Sequence, residues 1–152
     1  MAYTTSEGRE QILSELGQAV EELSHSLALL GEAYEHVDEH TADVLEEQLF
    51  RPVQGAYGRA RRTHSEFAGR HAMAAGTFDQ AARVLPSQTT QSLIDQAVEA
   101  SERADHLIAE LQDSLLPIEV GDPELRAGLM ETREMISDVP GRARALTRTL
   151  GR

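Results

Sequence analysis

Residues 32–52 read EAYEHVDEHTADVLEEQLFRP, a run crowded with carboxylates, carrying His36 and His40 and closing on Arg51-Pro52. The architecture depends on whether this stretch is one helix that stops at the proline. Apolar positions recur through it at alternating gaps of three and four, the period of a bundle seam. They continue a stripe that starts upstream: Leu13, Leu16, Val20, Leu23, Leu27, Leu30, Tyr34, Val37, Thr41 and Val44. On that stripe His36 points to water and His40 lies on the flank. The acids therefore read as a solvated face, not a metal site. Di-iron bundles need glutamates and Glu-x-x-His pairs projecting into the core. No seam position holds a carboxylate, and Glu22 and His25, the one such pair, lie on the outer face. Inside a continuing helix Pro52 would remove the bond to Gln48 and clash with its carbonyl. In the first turn of a new helix its missing N–H costs nothing. The stretch predicts a turn at Pro52.

Working outward, charge and punctuation divide the chain into four blocks. Residues 1–50 carry twelve acids and one Arg, and residues 51–86 carry two acids and six Arg. Residues 87–122 return to eight acids and one Arg, and residues 123–152 to four acids and six Arg. "LPSQ" at 85–88 and "LPIEVGDPE" at 116–124 supply the other breaks. Ser87 reads as an N-cap, and Asp122-Pro123-Glu124 as N-cap, N1 and first turn. The expected helices span about 5–50, 53–85, 88–116 and 123–150 of a single domain, the last one kinked at Pro140.

Short connections make neighbours antiparallel. Folding each block back on the next brings the seams into common layers, among them Thr41/His64/Leu111/Leu129, Tyr34/His71/Ala104/Ile136 and Leu27/Phe78/Ala97/Ala143. Most layers mix large with small residues, as close packing requires. The expectation is all-α: an antiparallel up-down-up-down four-helix bundle whose first helix overhangs. Ile12, Leu13 and Leu16 carry the apolar stripe into that overhang and suit self-association as a homodimer. At the other end Leu49, Phe50, Val53, Ile118 and Val120 suit a small lid.

Composition narrows the functions. The chain has 152 residues, long enough for a real core. Net charge is −12, which argues against nucleic acid as the main partner. No apolar run is long enough to span a membrane, and the first ten residues do not form a signal peptide. With no cysteine, thiolate metal sites and thiol chemistry are excluded and a cytoplasmic home is the default. No phosphate-binding glycine loop, nucleophile elbow or HExxH occurs, so no catalytic residue, cofactor or metal is expected.

Two histidines fall inside the expected seam. His64 and His71, opposite Thr41 and Tyr34, make a buried polar pocket. It reads either as satisfied polar groups that fix register or as a site that binds a small ligand or metal or senses pH near 6. Arg59, Arg61 and Arg62 are expected beside Asp43, Glu46 and Glu47, as a neutralised flank. The Arg faces of the second and fourth helices are the alternative site, for nucleic acid.

The phrases "LFRPVQGAYGRARRTHSEFAGRH" (49–71) and "LQDSLLPIEVGDPELRAGL" (111–129) resemble small all-helical actinobacterial proteins of an uncharacterised family. The resemblance implies an all-helical fold and brings no activity or site residue. The functional expectation is a non-enzymatic bundle that acts through protein contacts.

Overall fold

The chain reverses at residues 35–38, not at Pro52. A computed structural model describes residues 5–76, 78, 84 and 88–150. Helix α1 (Thr5–Tyr34) ends as the N–H groups of Glu35 and His36 bond back three residues, to the carbonyls of Glu32 and Ala33. Asp38 then caps a new helix: its carboxylate accepts from the Thr41 N–H at 2.7 Å and its carbonyl from the Ala42 N–H at 2.8 Å. That helix, α2 (Glu39–Leu45), passes through a π-helical turn (Glu46–Phe50) into α3 (Arg51–Arg70) as one rod.

The π turn explains how the rod survives Pro52. The Arg51 N–H bonds to the Glu46 carbonyl five residues back, so the backbone is widened just ahead of the proline ring. The local penalty of an interior proline is real. Continuity instead buries Leu45, Leu49, Val53 and Ala56 along one stripe of the rod. Leu49 and Val53 are thus core residues, not parts of a lid, and Ile118 stands 56% exposed elsewhere.

The third rod is α4 (Thr90–Asp113), capped by Thr89. Short α5 (Leu116–Val120) leads to the fourth rod, α6 (Pro123–Ile136) followed by α7 (Val139–Leu150). Two turn residues separate α6 from α7, yet Ile136, Val139, Ala143 and Leu146 stay buried, so the stripe keeps its phase past Pro140.

Side-chain bonds show how the rods lie. The Ser26 hydroxyl donates to the Ala97 carbonyl at 2.8 Å, and Glu22 pairs with Arg103, so α1 and α4 are antiparallel neighbours. Arg59 pairs with Glu131 and Arg70 with Asp122, which sets α3 antiparallel to α6. Asp105 with Arg133 and Gln91 with Thr147 do the same for the third and fourth rods. The second and third rods are therefore diagonal and run the same way, which departs from the expected up-down-up-down order.

The expected second helix over 53–85 is likewise corrected, since α3 ends at Arg70. Ala81 and Leu85 of its seam lie outside the described residues. Phe78 sits against His64 near the start of α1, far along that helix from Leu27. Ile12 and Leu16 are fully buried and Leu13 packs against the core, because α3 and α4 both pack along α1. Among the described residues α1 has no overhang: Ile12 and Leu16 lie inside the bundle and offer no surface for a second copy, while Leu13 is partly buried and faces a groove beside α3.

Two rods come into close contact where Gly128 of α6 meets Thr63 of α3. A methyl group there would lie 3.0 Å from the Thr63 Cβ and nearer still to its Oγ1 and Cγ2. Thr63 cannot easily yield, since its hydroxyl donates to the Arg59 carbonyl at 2.8 Å and is buried. Gly128→Ala is expected to lower stability by about 1–3 kcal/mol through overpacking. Urea unfolding should show a smaller loss in a Thr63→Ala background, and equal losses in both backgrounds would rule out the contact as the cause.

Candidate functional site

The first three turns of α1 and the end of α3 leave a groove of about 770 Å³ between them. Arg9, Leu13 and Gly17 line it from α1, spaced four apart on one face, and His64 and His71, seven apart, line it from α3. Such spacings put side chains on one side of a helix. The chain after α3, through Ala75 and then Phe78, forms the remaining wall.

His64 is the floor and is only 3% exposed. Its Nε2 lies 3.1 Å from the Leu13 carbonyl oxygen. A carbonyl can only accept, so Nε2 carries the proton and Nδ1 presents a lone pair. That Nδ1 is buried and has no partner. The Nε of Arg9, in the same groove, is also buried without a partner. An unmet buried polar group costs about 1–3 kcal/mol, so two in one groove form a feature that packing alone does not explain.

Burial pushes the His64 imidazole below its ordinary value, and the bond to Leu13 only partly opposes this. The folded protein therefore binds this proton less readily than the unfolded chain. The stability His64 contributes is complete above about pH 6.5 and is lost as pH falls through the folded value. Urea midpoints should fall on acidification below about pH 6.5 and fall less in His64→Gln. Equal pH profiles for the two proteins would show that this histidine does not titrate as its burial requires.

His71, at the groove's edge, is held from behind. Its Nε2 donates to Asp122 Oδ2 at 2.8 Å, and its ring lies against Phe67 at 4.5 Å between centroids. Asp122 also takes Arg70 through two bonds, of 3.0 and 2.8 Å, and accepts the Leu125 N–H at 2.8 Å as the N-cap of α6. Burial pushes this carboxyl up, but the Leu125 N–H, His71 and Arg70 together outweigh it and hold it below the usual carboxylate value. One carboxylate thus ties the end of the second rod to the start of the fourth.

The structure brings His64 and His71 into one groove and separates both from Tyr34 and Thr41. Tyr34 is the last residue of α1 and 40% exposed. Thr41 belongs to a shallow depression at the other end, with His36, Thr89, Gln91 and Thr147. The reversal at 35–38 is the reason, since it moves both away from the end of α3. Arg9 and Phe78 are the residues the sequence reading missed. Arg9 left one trace, as the lone arginine among the twelve acids of residues 1–50.

No family model, curated protein or solved structure matches the chain. The site must speak for itself. Among the described residues no group of three or more histidines and carboxylates could hold a metal ion, and no helix is long and apolar enough to cross a membrane. Arg59, Arg70, Arg103 and Arg133 are each engaged by a carboxylate on another rod or element. Arg59 pairs with Glu131 on α6 rather than with Asp43, Glu46 or Glu47, which lie on its own rod. Arg61 lies over the Tyr57 ring at 5.9 Å.

Proposed function

We propose that the protein is a non-enzymatic helical bundle that binds a small ligand in the groove floored by His64. One observation carries the reading: a buried lone pair on His64 Nδ1 and a buried N–H on Arg9, neither with a partner, in one groove. A hydroxyl or carboxamide group offers both a donor and an acceptor and so answers both atoms. The groove's volume of about 770 Å³ falls in the range usual for small-molecule sites. Leu13, Met73 and Phe78 supply apolar wall around the polar pair.

Amide NMR spectra recorded with hydroxyl- and carboxamide-bearing fragments test this. Shifts should cluster at Leu13, Gly17, His64 and Phe78, and should vanish in His64→Leu. Shifts scattered over the surface, or unchanged in that variant, would remove the reading.

Action through protein contacts retains a different observation. Leu115 and Ile118 are 55% and 56% exposed on either side of buried Leu116 and Pro117. Association through this apolar pair should appear as a rise in mass by light scattering with concentration, and should be abolished by Ile118→Glu. Nucleic-acid binding has less support, since Arg59, Arg70, Arg103 and Arg133 are each paired with a carboxylate.

A further inference from the structure

Arg9 Nε and His64 Nδ1 are shut off from solvent, so a ligand reaches them only if something moves. The groove's remaining wall is the chain that follows α3. Ala72, just past the helix end, is left-handed (φ 53°), and the Met73 N–H bonds back to the Ala68 carbonyl at 2.8 Å. This is the position where helices favour glycine, and an L side chain there is strained. Gly76 is left-handed again (φ 72°). Beyond this joint Phe78 meets the His64 ring edge-to-face, with centroids 4.9 Å apart. Both rings lie over Gly17: a methyl group there would be 3.5 Å from His64 Nε2 and 3.6 Å from Phe78.

We infer that Phe78 is a latch packed against the neutral His64 ring at the groove's floor, and that protonating His64 releases it. Among the described residues, the charged and titratable groups sharing the groove are Arg9, Glu10 and Glu21 from α1 and His71 from α3. His71 is committed to Asp122 at the head of α6, and Ala72–Gly76 and Phe78 bring no ionisable group. A second proton would turn the unpartnered Nδ1 into an unpartnered donor on a buried cation, in the same groove as the unpartnered guanidinium nitrogen of Arg9. An aromatic ring attracts a cation, but that attraction is small beside the cost of keeping a charge out of water. The imidazolium gains most if Phe78 swings away and water enters. The inference concerns access to the site proposed above and rests on that reading only for what the opening admits.

The chain contains no tryptophan, so Phe78→Trp gives a unique reporter. At about pH 7.5 its emission should be shielded from acrylamide, and quenching should rise severalfold as acidification below the ordinary histidine range brings the buried His64 its second proton. Helix content measured by circular dichroism should stay constant over the same range. In Phe78→Trp combined with His64→Gln, quenching should not change with pH. If the tryptophan variant fails to fold, NMR cross-peaks between Phe78 and His64 ring protons in the unaltered protein serve instead. They should fade as His64 titrates. A contact that persists across the titration, or a release that survives His64→Gln, overturns the latch. Fragment binding is read at constant pH, so a fixed latch with bound fragments and a moving latch with none are distinct results.

Discussion

Removing residues 1–17 is expected to unfold the protein, not to trim it. A stripe that ran past the rest of the bundle would be dispensable, but α1 has no such end. Ile12 is 0% exposed and Leu16 1%, both inside the common core. Truncating one fully buried Ile or Leu to Ala costs about 2–5 kcal/mol, so losing both side chains costs about 4–10 kcal/mol. A domain of this size has about 5–15 kcal/mol in total. The deletion also takes the Leu13 carbonyl from His64 and exposes the α3 surface that α1 covers. Circular dichroism should show loss of the cooperative melt. A truncated protein melting within a few degrees of the full chain would refute the burial of the first three turns.

Asp122→Ala is expected to be the most damaging single substitution outside the apolar core, at about 2–4 kcal/mol. Loss of the cap contributes about 1 kcal/mol and loss of charge-assisted bonds about 1.5–3 kcal/mol. The lower half applies if Arg70, whose side chain is 31% exposed, rehydrates once released. Asp122→Asn separates the parts, because an amide oxygen can still accept from the Leu125 N–H while the charge is gone. The pH dependence has a definite sign. With its folded value depressed, Asp122 contributes fully above about pH 4 and loses that contribution as pH falls through the folded value. Urea midpoints of Asp122→Ala and the unaltered protein should differ most near neutrality and converge in acid. A constant gap at all pH values would mean that the carboxylate's charge plays no part.

The two pH effects occupy different windows. His64 acts as the solution passes below about pH 6.5, and Asp122 acts below about pH 4. On acidification the loss at His64 is expected to begin first, while the tie between the rods still holds.

Some of this was plain in the residues. Asp122-Pro123-Glu124 reads as a helix start, and Asp122 does accept from Leu125. The hairpin of the third and fourth rods has close to the expected register, with Asp105 beside Arg133 and Gln91 beside Thr147. Asp38 was equally available as a cap, but it sits among so many acids that its bond to Thr41 is invisible without coordinates. Half of the expected pocket followed the histidines, which share a helix and hence a face. The other half, Tyr34 and Thr41, depended on where the chain turns.

The residues alone therefore determine an all-helical chain, the apolar stripes of the third and fourth rods and the last hairpin, because helical period and capping chemistry are local. Past Tyr34 the expected stripe of Val37, Thr41 and Val44 gives way to Ala42, Leu45 and Leu49. Tertiary structure decides where the first two rods divide and which rods are neighbours. A seam that repeats every seven residues looks the same after a shift of seven, so periodicity cannot choose between a reversal at Pro52 and one at 35–38. Contacts between distant residues choose: Leu45, Leu49 and Val53 buried on one unbroken rod, Ser26 on Ala97, and Gly128 against Thr63. A widened turn before the proline costs less than giving those contacts up.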